Sequence, residues 1–173
     1  VSAVFSNGYS PTVGTPTLYR PDTDFRYGTT AWAVHLWAKS TLAANPSAAQ
    51  TVYSQAKSPD DLRLQFNTSG YPVLTITDDG SATTDVITIA SDKYDTLWHQ
   101  YIFGRRGSKW VLSVDGADTS IAVSAAAAAI DADTVYLATR RAQAASMFAG
   151  KIDEVFIKAD STLLEPTIGF PFY

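Results

Sequence analysis

The sequence lacks several residue types and runs that would point to particular kinds of site. It has no cysteine, which excludes disulfide bonds, thiolate metal sites and cysteine nucleophiles. No apolar run approaches the roughly 20 residues that a membrane helix needs. No Lys/Arg-rich run occurs, and the formal net charge is −4, so we expect neither nucleic-acid binding nor membrane insertion.

The residues that are present favour β-strands. Eight short stretches alternate or are rich in β-branched and aromatic residues: 31–39, 62–66, 73–77, 86–90, 98–103, 110–114, 135–138 and 152–157. Turn sequences such as NTSG, RRGS and VDGAD separate them. The alanine-rich stretch 124–131 is shorter than the roughly 12 residues at which an isolated helix becomes marginal.

This pattern predicts an all-β fold with two stacked antiparallel sheets, a β-sandwich of the jelly-roll kind. The whole chain, 1–173, reads as one domain, with an irregular N-terminal segment at 1–24 and a C-terminal tail at 159–173. Neither the composition nor any internal repeat indicates a second domain.

The order of several motifs resembles the laminin-G-like, concanavalin A-like jelly-roll family. These motifs are WAVHLWAKS, TVYSQA, DLRLQFNTSGYPVLTI, LWHQYIFGRRGSKWVLSVDGA, VYLATRR and FAGKIDEVFI. The resemblance runs from Phe25 to Lys158 and departs from the family at Ala138, where glycine is usual.

The resemblance implies a non-catalytic binding or adhesion domain, with a glycan or a cell-surface receptor as partner. It also implies an extracellular, cell-surface or virion location within a larger protein. A structural domain that contacts other virion or surface-protein subunits is the alternative, which the missing cysteine and the aromatic tail IGFPFY favour. A glycoside hydrolase is the least favoured hypothesis.

The adjacent carboxylates Asp153 and Glu154 raise the question of hydrolysis. Alternation along a strand predicts that Asp153 shares the core side with Val155 and that Glu154 points away. Two such groups cannot flank one glycosidic bond. The only glutamates, Glu154 and Glu165, are eleven positions apart, so the Glu-x-Asp-x-x-Glu motif of laminarinase-like relatives is absent.

Two structural roles remain open for Asp153. Its carboxylate could accept backbone N–H groups of a turn, or it could bind a structural Ca²⁺ together with oxygens from Asp22 and Asp24. The only histidines, His35 and His99, have no second ligand at zinc-binding spacing.

Candidate ligand-binding residues lie at positions that alternate with core positions. His35 and Trp37 are predicted on the outer face of one strand, and Arg63 and Gln65 on the outer face of another, with Tyr71 as a further aromatic. Indole faces stack on sugar rings, and polar side chains bond the hydroxyl groups. The alternative is that His35 and Trp37 are covered, because a central strand can be buried on both faces. Trp110 and Tyr173 are other aromatic candidates.

Overall fold

The described part of the protein, in a computed structural model, is almost entirely β-strand. It comprises residues 3–5, 19–21, 29–57, 60–77, 84–124, 134–139 and 146–158. The strands are β1 (Ala3–Phe5), β2 (Tyr19–Pro21), β3 (Trp32–Ser40), β4 (Gln50–Lys57), β5 (Asp60–Phe66), β6 (Pro72–Thr77), β7 (Thr84–Thr88), β8 (His99–Arg106), β9 (Lys109–Val114), β10 (Ala117–Ala122), β11 (Thr134–Leu137) and β12 (Gly150–Lys158). Within these ranges there is no α-helix, and hence no helix that could cross a membrane.

The strands form two antiparallel sheets of six strands each. Sheet A has the order β1-β12-β3-β8-β9-β10, and sheet B has the order β2-β11-β4-β5-β6-β7. Every pairing between neighbouring strands is antiparallel. The all-β jelly-roll sandwich expected from the sequence is therefore confirmed.

The core lies between the two sheets and is rich in aromatic rings. Trp32 of β3 packs edge-on against Trp110 of β9, with ring centroids 6.2 Å apart. Tyr53 of β4 reaches across to Phe103 of β8, and their centroids are 5.2 Å apart. All four of these side chains are fully buried, so both sheets contribute to one continuous apolar interior.

Positive φ values occur in one turn whose sequence suits them and at one position where the residue does not. Asp115 and Gly116 have φ of 53° and 83°, the conformation of a two-residue type I′ turn, and they join β9 to β10 as the sequence VDGAD predicts. Ala138 has a φ of 60°, a left-handed conformation that glycine adopts more easily. The departure from the family noted at this position thus falls where glycine would be favoured.

Candidate binding surface

The two faces of β3 have different surroundings. Val34, Leu36 and Ala38 point into the core and are fully buried. The alternate residues His35, Trp37 and Lys39 point to the outside of sheet A, as the sequence predicted for the first two. His35 is 6% exposed, whereas Trp37 and Lys39 are half-buried, so the outer face opens toward the end of the strand.

The His35 ring is packed beneath the outer surface of sheet A, so it is not exposed to a ligand. Its imidazole stacks on Phe156 at 5.6 Å and lies edge-on to Trp37 at 6.4 Å between centroids. The side-chain nitrogen of Gln100 lies 3.0 Å from His35 Nε2, to which it donates a hydrogen bond. Burial lowers the pKa of His35 to about 4, so the ring is neutral at pH 7 and can accept this bond.

The position of Asp153 corrects the prediction that it shares the core side of β12 with Val155. Asp153 is the cross-strand partner of outward-facing Trp37, and the register then shifts before Phe156. The extra residue is Glu154, which is exposed and has a φ of 48°. This β-bulge interrupts the simple alternation, so Asp153 lies on the outer face of sheet A.

A short row of polar and aromatic side chains therefore crosses the outside of sheet A. Trp37 has Asp153 of β12 as its partner on one side and Gln100 of β8 on the other. Partners in an antiparallel ladder point to the same face and are close enough for their side chains to interact. Asp153 Oδ1 accepts the backbone N–H of Glu154 at 2.8 Å, which agrees with the first of its two structural roles.

A cationic and aromatic group adjoins this row at the end of β3. Lys39 is the cross-strand partner of Lys151, which is exposed. The ammonium nitrogen of Lys39 lies 5.0 Å from the centroid of the Trp98 ring, and Trp98 is 38% exposed. We call the set Trp37, Lys39, Trp98, Gln100, Lys151 and Asp153 the Trp37 surface.

His99 fixes the turn that carries Trp98. Its two ring nitrogens lie 2.7 Å from Asp115 Oδ2 and 3.1 Å from Asp95 Oδ1. Asp95 Oδ1 also accepts the N–H of Leu97 at 2.7 Å, so the turn before Trp98 is tied to the sheet.

Asp115 is the centre of this small charged cluster. Burial would raise its pKa, but hydrogen bonds from His99, Lys93 and the N–H of Gln100 hold the pKa of Asp115 below its usual value. Sequence reasoning missed this cluster because its members come together only when β8, β9 and the preceding turn are folded.

The remaining sequence candidates do not join the Trp37 surface. Arg63 and Gln65 lie on β5, on the outer face of sheet B, and Arg63 pairs with Asp61 at 3.2 Å. Tyr71 lies in the turn that leads into β6 of the same sheet. Arg63 and Gln65 therefore lie on the opposite side of the sandwich from His35 and Trp37, and a role for them in ligand binding stays a prediction.

Four further candidates have different outcomes. Trp110 is fully buried and belongs to the core, so it is not an exposed aromatic. Asp22, Asp24 and Tyr173 lie outside the described residues. Among the residues that are described, no group of three or more histidine, aspartate or glutamate side chains is arranged so that it could hold a metal ion. Calcium binding by Asp153 stays a prediction.

Comparisons with known proteins agree with the fold. Residues 13–162 match the laminin G family described as the concanavalin A-like lectin/glucanases superfamily. No curated protein matches the chain by sequence. Domains LG4-5 of the mouse laminin alpha1 chain superpose with a TM-score of 0.69 at 16% identity, covering 91% of this chain and 43% of that structure.

Two other solved structures share the architecture. One is botulinum neurotoxin type C, which depends on interaction with two ganglioside molecules to enter cells. Its TM-score is 0.57 at 10% identity, covering 76% of this chain and 32% of that one. The other is the heptameric SAP-like pentraxin of Limulus polyphemus, with a TM-score of 0.62 at 12% identity, covering 88% and 75%. The chain thus spans less than half of the laminin and neurotoxin structures.

Proposed function

Because this chain belongs to the laminin G family of the concanavalin A-like lectin/glucanases superfamily, we propose that it is a non-catalytic binding domain whose ligand is a glycan. The ligand would lie on the Trp37 surface. A location outside the cell, on a cell surface or on a virion, is part of the same proposal.

The row Asp153–Trp37–Gln100 is the observation that carries this proposal. It places a half-buried indole between a carboxylate and a primary amide on three neighbouring strands. Sugar rings stack on indole faces, while carboxylate and amide groups bond the ring hydroxyls. Because all three side chains stand on paired strands, they are held in place before any ligand binds.

The similar structures support a binding role. The neurotoxin depends on gangliosides, which are glycolipids, and the laminin domains share its sandwich. Neither likeness identifies the ligand of this chain, since both identities are below 20%. The absence of a two-glutamate motif argues against hydrolysis, and a polysaccharide hydrolysis assay with the purified protein should therefore give no product.

A glycan array followed by calorimetry on the strongest hits tests the proposal. We expect Trp37→Ala to weaken binding by about tenfold or more, because stacking and burial on an indole are typically worth over 1 kcal/mol. Gln65→Ala is the matched control, because Gln65 is equally half-buried but lies on the outer face of sheet B. That variant should bind like the wild type.

Two results would contradict the proposal. The first is an array on which no glycan binds above background. The second is a Gln65→Ala variant that loses binding while Trp37→Ala retains it, which would move the site to sheet B. Adding EDTA to the thermal denaturation assay tests the separate calcium proposal, since a structural Ca²⁺ at Asp153 predicts a lower melting temperature.

A protein partner is the second candidate, and β10 favours it. This strand ends sheet A among the described residues, and Asp118, Thr119 and Ser120 are exposed on it. An edge strand offers unpaired backbone groups to a strand of another chain. Native mass spectrometry would detect self-association, and Ser120→Lys should abolish it if β10 is the contact.

A further inference from the structure

Two lysines occupy directly opposite positions on the outer face of sheet A. Lys39 of β3 and Lys151 of β12 are cross-strand partners one row beyond Trp37 and Asp153. Like charges in this arrangement repel and destabilise a sheet. A pairing that costs stability and lies beside a candidate binding row requires an explanation beyond folding.

Neither lysine has its charge neutralised within the described part of the chain. No carboxylate there forms an ion pair with Lys39 or Lys151, although Asp153 lies on the same face. The carboxylate of Asp153 bonds the backbone N–H of Glu154 instead. The contact that Lys39 does make is with the face of Trp98, which attracts a cation but leaves its charge in place.

The surroundings of the lysine pair are aromatic and partly exposed. Trp98 is 38% exposed, and the neighbouring Leu97 is 64% exposed. The turn that carries them is held by the bonds of His99 and Asp95, so the Trp98 ring is presented on a fixed support. Lys39 therefore lies between Lys151 on β12 and the Trp98 ring, one row beyond Trp37.

We propose that this end of the Trp37 surface binds an acidic saccharide, whose carboxylate or sulfate group lies between Lys39 and Lys151. The sugar rings contact Trp37 and Trp98. The inference rests on the proposed glycan-binding function and names the ligand class of that site. The ammonium groups supply point charges and up to three hydrogen-bond donors each, which suits both kinds of anion.

The acidic residues beside the lysines limit the ligand further. Asp153 follows Lys151 by two positions, and Glu154 is exposed next to it. Together with the net charge of −4, these groups repel a densely charged polymer such as a nucleic acid. A saccharide whose acidic groups are separated by neutral sugars fits this surface better. An acidic group would lie at the lysines, and a neutral sugar would lie at Trp37 and Asp153.

The test uses an array that presents the same core glycan in neutral, sialylated and sulfated forms, with the full chain as probe. We expect signal on one or both acidic forms and little on the neutral form. The double variant Lys39→Gln/Lys151→Gln should lose about tenfold or more in affinity for the acidic form, since charged hydrogen bonds are lost. Raising the NaCl concentration should weaken wild-type binding in parallel.

Lys109→Gln is the matched control, because Lys109 is an exposed lysine at the opposite end of sheet A. It should change affinity less than twofold. The melting temperature of the double variant should equal or exceed that of the wild type, because a repulsive pair is removed. A normal melting temperature then assigns any loss of affinity to the ligand contact.

The outcomes separate this inference from the proposed function. Equal binding of neutral and acidic forms overturns the inference and leaves the glycan-binding function intact. The same holds if the double variant binds the acidic form as tightly as the wild type. An array on which no glycan binds overturns both. Selective binding of an acidic form that the double variant loses supports both.

Discussion

The two faces of β3 differ in how their burial changes along the strand. On the inner face, Val34, Leu36 and Ala38 are all completely buried. On the outer face, burial falls from His35, which is 6% exposed, to Trp37 and Lys39, which are half-buried. The inner face, which is buried along its whole length, packs into the core. The outer face becomes accessible to solvent, and so to a ligand, toward the end of the strand. One strand thus stabilises the core on one side and carries the proposed binding residue Trp37 on the other.

Substitution on the inner face should have the largest effect on stability. Leu36→Ala removes a fully buried side chain from the core, and we expect it to lower the free energy of unfolding by about 4 kcal/mol. Trp37→Ala, on the outer face of the same strand, should cost about 1 kcal/mol or less, because its ring is only half-buried. Urea denaturation of both variants measures the contrast.

A similar loss for the two variants would remove the distinction between the faces. It would mean that Trp37 is as much a part of the packing as Leu36. In that case a loss of glycan binding by Trp37→Ala could not be assigned to a missing ligand contact.

Lowering the pH should reduce the free energy of unfolding through His35, the buried residue on the outer face of β3. The pKa of His35 is about 4 in the folded protein against an ordinary value of 6.5. As pH falls below 6.5, the unfolded chain takes up a proton that the folded one refuses until about pH 4. Stability should therefore decrease between these pH values, by up to about 3 kcal/mol from this group.

The variant His35→Gln isolates that contribution from other titrating groups. Its side chain does not titrate and can still bond Gln100. The difference in unfolding free energy between wild type and variant should shrink or reverse from pH 7 to pH 4, as measured by urea denaturation across the range. A difference that is constant with pH would show that His35 is not held neutral by burial.

The smallest expected effect concerns the bulge that puts Asp153 beside Trp37. Glu154 has a φ of 48°, which costs a residue with a Cβ roughly 1 kcal/mol relative to glycine. We expect Glu154→Gly to raise the unfolding free energy by about 0.5–1 kcal/mol, which a thermal melt would detect. Glu154→Ala is the control and should give no such gain. If both variants behave alike, backbone conformation at Glu154 is not strained.

The sequence predicted the layer architecture well because hydrophobic alternation and turn residues act locally. The eight predicted stretches correspond to β3, β5, β6, β7, β8, β9, β11 and β12, with ends that shift by at most three residues. Two long strands were not among them. β4 (Gln50–Lys57) lacks a clear alternation because its register shifts between Thr51 and Tyr53 and the polar Gln55 is the partner of the core residue Leu62. β10 (Ala117–Ala122) lacks one because it is exposed on both sides.

The candidate site was predicted only in part. The outward direction of His35 and Trp37 followed from the period of β3, which is regular throughout. That Arg63 and Gln65 lie on the other sheet did not follow from the sequence, because the strand period gives a face but not which sheet a strand joins. Lys39, Gln100 and Lys151 were missed, since only the register between strands places them next to Trp37.

The single extra residue in β12 has a consequence for comparing this protein with others. Before Glu154, odd-numbered positions face outward, and after it the even-numbered ones do, so the two halves of the strand are out of phase. An ungapped alignment to a relative without the bulge would match interior positions to exterior ones along half of the strand. Transfer of a functional residue across this strand therefore needs a gap at position 154.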